Sequence, residues 1–303
     1  MKKRFALLTV LILLFSALCV PATAKKQAVM ASFYPIYILA MNVFKDIDDI
    51  DLACMTAPET GYLHDYQLLA GDMLKLAASD TLIVCGAGME AYLDDVIRQF
   101  PELTVIDCSR DIDLIPEEEH HHEEAHKHDK DETAYNAHTW LDVKNAIRIV
   151  ATIADASEAL FPDNAAQIKQ NAAEYTQRLQ SLDDELKATL APVMGEKIVT
   201  FHEAFPYFAR AYGLEIAAVI NEEHEDTLSP AQLTAVIEAV KAAGVPPLFT
   251  EPQYSDAAAF AVAAETGAKI YALDPLASGE LDPDAYENGM RENAQAILDA
   301  FGK

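Results

Sequence analysis

The chain has 303 residues, 51% of them apolar, which is enough for two ordinary domains each with its own core. Its 49 Asp and Glu against 22 Lys and Arg give a net charge of −27. Such a polyanion attracts cations and repels nucleic acid and anionic lipid surfaces, so nucleic-acid binding is set aside.

The N-terminus reads as an export signal. Lys2-Lys3-Arg4 precedes an apolar run over residues 5–20 and then Pro21-Ala22-Thr23-Ala24, the order of a basic region, a hydrophobic region and an A-x-A cleavage site, so residues 1–24 are expected to be removed after Ala24. The run is shorter than the ~20 residues a spanning helix needs. Cys19 follows Leu18, where a lipidation site wants a small residue, so the expected product is a soluble exported protein. Cleavage takes away three basic residues and no acid, deepening the charge from −27 to −30. Cys54, Cys85 and Cys108 then remain, each in an apolar strand-like run. An odd count without a C-x-x-C spacing reads as buried free thiols rather than as a disulfide framework or a thiolate metal site.

Beyond the signal, apolar β-type runs alternate with amphipathic stretches. Residues 28–33, 51–55, 81–85 and 103–107 read as strands, and 36–44, 67–78 and 89–99 as the helices between them. That alternation implies βαβ units and a parallel sheet. Residues 111–137 break it, being acidic, histidine-rich and without apolar period, and read as a loop. Asp142 is placed to cap a helix to about residue 160, which Pro162 ends. Residues 164–190 contain neither Gly nor Pro and are dominated by helix formers, a helix of ~40 Å at 1.5 Å per residue. Strands then recur at 197–201, 214–220, 247–250 and 268–273, with helices at 203–212, 230–243 (opened by Ser229-Pro230), 255–266 and 283–301. The expected fold is α/β: a lobe over 25–161 including the loop 111–137, a linker helix over 162–191, and a second lobe over 192–303.

In open parallel sheets, ligands bind in the crevice outside the carboxyl ends of the strands. His202 directly follows the expected strand 197–201, and Asp274 directly follows 268–273. His64 lies in the loop after the second strand, and His138 closes the acidic loop just before Thr139-Trp140-Leu141-Asp142. Three imidazoles plus one carboxylate suit a tetrahedral Zn²⁺ shell, with two ligands from each lobe. Glu251 occupies a similar strand end and competes with Asp274 on pattern alone, while Asp274 before Pro275 also reads as a turn residue and Asp65 and Asp142 as helix caps. Between residues 117 and 132 five histidines (His120, His121, His122, His126 and His128) stand among eight acids, more than solubility asks for. They read as an accessory site of weak metal capture without fixed geometry. His224 reads as a surface residue.

The motifs Phe33-Tyr34-Pro35, Leu63-His64-Asp65-Tyr66, Gly86-Ala87-Gly88-Met89-Glu90, His138-Thr139-Trp140-Leu141-Asp142, Phe201-His202-Glu203-Ala204-Phe205-Pro206, Phe249-Thr250-Glu251-Pro252-Gln253-Tyr254 and Leu273-Asp274-Pro275-Leu276 stand in this order. In these the chain resembles the zinc-specific solute-binding proteins of bacterial ABC metal importers (ZnuA-like, cluster A-I) over nearly all of the mature sequence. The resemblance implies that His64, His138 and His202 bind the metal, with Asp274 or water completing the shell, and that the acidic loop is a zinc-associated accessory. It implies zinc as the ion, with manganese the second choice because manganese-specific relatives carry Glu where this chain has His202. It also implies delivery to a cognate ABC permease by an exported monomer with no organic substrate and no enzymatic activity. Two departures stand out: Leu63 where the family often has Pro or Glu, and Val143 where it has Pro.

Two other classes share the metal-ligand pattern. A zinc hydrolase would use three histidines and an open water position, with Glu203 as its only obvious base, but H-E-x-x-H and G-x-S-x-G are both absent. An adhesin or zinc store would be marked instead by the lack of a neighbouring permease gene.

Overall fold

The computed structural model describes residues 26–61, 66–117, 134–220, 229–253 and 256–303. Two four-stranded parallel sheets repeat one topology. In the first, β1 (Gln27–Ala31), β2 (Ile50–Cys54), β3 (Thr81–Val84) and β4 (Thr104–Asp107) lie in the order β2-β1-β3-β4. In the second, β5 (Lys197–Thr200), β6 (Glu215–Val219), β7 (Leu248–Thr250) and β8 (Ile270–Ala272) lie in the order β6-β5-β7-β8. In both sheets the chain reverses direction of winding between the first strand and its two neighbours, so a crevice opens at the carboxyl ends of β1/β3 and of β5/β7.

The helices are α1 (Tyr34–Val43), α2 (Ala70–Ala78), α3 (Asp94–Ile97), α4 (Val143–Leu160), α5 (Ala165–Leu190), α6 (Pro206–Tyr212), α7 (Pro230–Ala242), α8 (Ala257–Thr266) and α9 (Ala285–Phe301). Asp142 caps α4 by accepting the Lys144 N–H at 2.9 Å. Ser229 and Gln232 exchange bonds at the start of α7 as a capping box. At 26 residues α5 is the long helix expected from its composition. It packs against α4, α1 and α9. The C-terminal helix α9 thereby returns to the side of the first sheet, where buried Glu287 receives Arg178 of α5.

Period-two alternation sorts each strand between cores. Val29, Ala31 and Ile83 face the main core, which also takes Ile198 and Phe249 from the second sheet and so runs between the two lobes. Met30, Leu82 and Val84 face outward into a smaller cluster with Leu76 of α2, and Val199 and Leu248 face another beneath α7 and α8.

Three helices start later or run shorter than the sequence pattern predicts. The segment 89–99 is a 3-10 turn over Ala91–Leu93 followed by the four residues of α3. Gly86, Ala87 and Gly88 all have positive φ, and i→i−3 bonds such as Leu93 N–H to the Glu90 carbonyl wind the segment tightly. Gly86 is required there, since a Cβ would lie 2.0 Å from Asp107 Oδ1. The helix expected from residue 67 begins at Ala70, because the Asp72 carboxylate accepts the Leu69 N–H at 2.9 Å and fixes the start. The helix expected from residue 203 begins at Pro206, leaving 201–205 as the loop that carries His202. Among the described residues no helix is long and apolar enough to cross a membrane. The expected signal, residues 1–24, lies outside them.

Candidate metal centre

Two of the four expected ligands come together. His138 stands at the head of a 3-10 turn (Thr139–Leu141) that leads into α4, and His202 stands two residues beyond β5. Both side chains are buried. Their rings meet edge to face, with centroids 4.8 Å apart and planes at 86°. Trp140, fully buried, lies 5.3 Å from the His138 ring and donates from Nε1 to the Pro275 carbonyl at 2.8 Å, tying the turn to the loop after β8.

Glu251 follows β7, the strand beside β5, and its carboxylate lies 3.0 and 3.2 Å from His202 Nδ1 through its two oxygens. A carboxylate only accepts, so Nδ1 carries the proton and a metal would be met by Nε2. This separates the roles of the two competing strand-end acids. Glu251 orients a histidine.

Asp274 lies two residues beyond β8 and is held from several sides. Its Oδ1 accepts from Gln253 Nε2 at 3.1 Å and from the Leu276 N–H at 2.8 Å. Asn293 of α9 clamps its backbone, accepting its N–H at 2.8 Å and donating to its carbonyl at 2.7 Å. Among the described residues no group of three or more His, Cys, Asp and Glu side chains is assembled to hold a metal, so Asp274 does not join the two histidines in such a group.

His64 lies outside the described residues, and so do His120, His121, His122, His126, His128 and His224. The segment leading to His64 is described as far as Gly61. A Cβ on Gly61 would fall 2.5 Å from Gln253 Cγ, so only glycine permits that approach. The Gly279 N–H also donates to the Pro58 carbonyl at 3.0 Å. The stretch before His64 is thus seated on Gln253, the residue that binds Asp274.

Sequence reasoning missed Asn136. It is buried, its Nδ2 donates to the Glu203 carbonyl at 2.6 Å, and its Oδ1 accepts the His138 N–H at 3.0 Å. It closes a stretch without apolar period, and only its position two residues before a candidate ligand could have marked it. The ends of the acidic loop are pinned beside it. The Glu117 N–H donates to the Ala134 carbonyl, the Asn136 N–H to the Ile115 carbonyl, and Tyr207 Oη bonds both the Ile115 N–H and the Asn136 carbonyl.

The family model described as "Zinc-uptake complex component A periplasmic" (ZnuA) matches residues 29–300. The chain belongs to the ZnuA family. It is 31% identical to the zinc-binding lipoprotein AdcA of Streptococcus pneumoniae over 98% of its length, and spans 60% of that relative's length. It is 30% identical to the manganese ABC transporter substrate-binding lipoprotein PsaA of Streptococcus mitis, covering 99% of this chain and 100% of that one. The crystal structure of the Zn(II)-bound ZnuA-like domain of the Streptococcus pneumoniae AdcA superposes with a TM-score of 0.74 at 26% identity, over 92% of this chain and all of that domain. The portion of AdcA that this chain matches in fold is therefore its zinc-bound domain.

Proposed function

We propose that this chain captures Zn²⁺ outside the cytoplasm, in the cleft between two α/β lobes, and hands it to the permease of an ABC importer. The reading is carried by the His138–His202 pair. Two imidazoles on one tetrahedral Zn²⁺, at about 2.0–2.1 Å from each nitrogen, put their ring centroids roughly 5 Å apart. The centroids here are separated by 4.8 Å. His64 supplies the third ligand and Asp274 or water the fourth, with residues 25–161 and 192–303 as the lobes and 162–191 as the linker. The family description names zinc uptake, and AdcA, which this chain resembles, is a zinc-binding protein.

PsaA, named for manganese, is about as similar to this chain as AdcA is. Imidazole at position 202 favours zinc, since manganese prefers oxygen donors. The protein acts as an exported monomer, takes no organic substrate and catalyses no reaction. The acidic loop is an accessory that raises local zinc near the cleft.

Chelator-competition titration of the tag-free protein tests the ligand set. His64→Ala, His138→Ala and His202→Ala are each expected to cost a large part of the zinc affinity, whereas deleting residues 117–132 removes only additional weak binding. If two of the three histidine variants bind zinc as the parent does, the site is wrongly assigned. If the deletion removes the tight site, the primary ligands lie in the loop.

A further inference from the structure

We infer that Asn136 is a positioning residue of the metal site. It sets the tautomer of His138 and straps the segment carrying His138 to the segment carrying His202. The inference rests on the zinc-capture reading for its function, although its structural half can be read in metal-free protein.

The orientation of the Asn136 amide is settled by groups of fixed polarity. On one side stands the Glu203 carbonyl, which only accepts, 2.6 Å from Nδ2. On the other stands the His138 backbone N–H, which only donates, 3.0 Å from Oδ1. Turning the amide over would set carbonyl against carbonyl and NH₂ against N–H, so it has one orientation. The atom facing the His138 ring is therefore an oxygen, 3.3 Å from Nδ1. An oxygen acceptor there selects the tautomer with the proton on Nδ1, which leaves Nε2 as the ligating nitrogen.

The same residue joins the two halves of the site. Its backbone and Oδ1 belong to the turn before α4, and its Nδ2 reaches the carbonyl next to His202, beyond β5. Tyr207 Oη donates to the Asn136 carbonyl at 2.8 Å and fixes the backbone from the second lobe. The two histidines thus reach one protonation pattern by different means. His202 has a charged acceptor in Glu251 and His138 a neutral one in Asn136, so the neutral partner adds no negative charge to a site that must also release its ion.

The test has two readouts on the full-length protein. In metal-free, ¹⁵N-histidine-labelled protein, long-range ¹H–¹⁵N correlation should show His138 protonated on Nδ1. Asn136→Ala should shift it toward the Nε2-protonated form. Asn136→Asp keeps the acceptor but loses the donor to Glu203, and should retain the Nδ1 proton. Zinc affinity should fall 10–100-fold in Asn136→Ala, the usual effect of losing such a partner. In a His138→Ala background the same change should cost less than threefold, because its effect passes through that ring. Should Asn136→Ala fail to fold, the wild-type tautomer and the Asn136→Asp spectrum still decide. Nε2 protonation of His138 in the wild type, unchanged affinity in Asn136→Ala, or a full loss repeated in the His138→Ala background would overturn the inference. Absence of tight zinc binding in the wild type would instead sink the functional reading and leave the tautomer result standing.

Discussion

The two sheets share a strand order and both bury a glutamate at the carboxyl ends of corresponding strands, but the acids do different work. In the first lobe Glu90 closes the crevice between β1 and β3. It accepts from Ser32 Oγ at 2.5 Å and from the Cys85 and Gly86 N–H groups at 2.7 and 3.0 Å. In the second lobe Glu251, at the end of β7, turns to the His202 ring beyond β5. The first carboxylate is spent on backbone and hydroxyl donors of its own lobe. The second is spent on a side chain that can take a metal. One architecture therefore gives a closed, structural strand end and an open, functional one, and the difference lies in the residue after the central strand: Ser32 in one lobe, Phe201-His202 in the other.

Substitutions should separate the two lobes cleanly. The largest effect is expected for His202→Ala, with more than 100-fold weaker zinc binding, since losing a ligand exceeds the 10–100-fold cost of losing an outer hydrogen-bond partner. Thermal unfolding of the metal-free variant should move far less than its affinity. Glu90→Ala should do the reverse. It strands two buried N–H groups and a hydroxyl, costing about 3 kcal/mol in denaturant unfolding, while zinc affinity stays within threefold. A strong affinity loss in Glu90→Ala would show that the first crevice is functional after all.

Glu251→Gln should follow, with affinity roughly tenfold lower and stability within about 1 kcal/mol of the parent, because the amide oxygen still accepts from Nδ1. Equal stability losses in the Glu90 and Glu251 variants, with no change in zinc binding, would erase the contrast.

The smallest effect is a pH dependence. Burial raises the Glu90 pKa, opposed by the bonds from Ser32, Cys85 and Gly86. A carboxyl raised in the folded state contributes stability that is fully present below its unfolded pKa and lost as pH rises through the folded value. The parent should therefore gain stability relative to Glu90→Gln as pH falls toward the ordinary carboxylate range. A difference that widens in the opposite direction would contradict the burial argument.

Much of this architecture was legible in the sequence because its signals are local. Eight apolar runs, the absence of Gly and Pro over 164–190 and the caps Asp142 and Ser229 all depend on near neighbours, and the observed strands fall within a residue or two of expectation. The helix predicted over 89–99 failed because its first residues answer to a distant partner. Glu90 is drawn back to Ser32 across 58 positions of sequence, and no periodicity records that. The site divides in the same way. His138 and His202 were visible as polar residues at the ends of apolar runs. The tasks of Glu251 and Asn136 were not, since each is defined by an atom 49 or 67 positions away.

The most direct test of the central claim is zinc K-edge X-ray absorption on the full protein loaded with one equivalent of Zn²⁺. A site built on His64, His138 and His202 predicts about three imidazole nitrogens at roughly 2.0–2.1 Å, with the outer-ring scattering of histidine, and one further nitrogen or oxygen. In His202→Ala the histidine signal should drop by one imidazole. A shell of oxygen alone, or of sulfur at roughly 2.3 Å, or a histidine count unchanged by the substitution, would contradict the account.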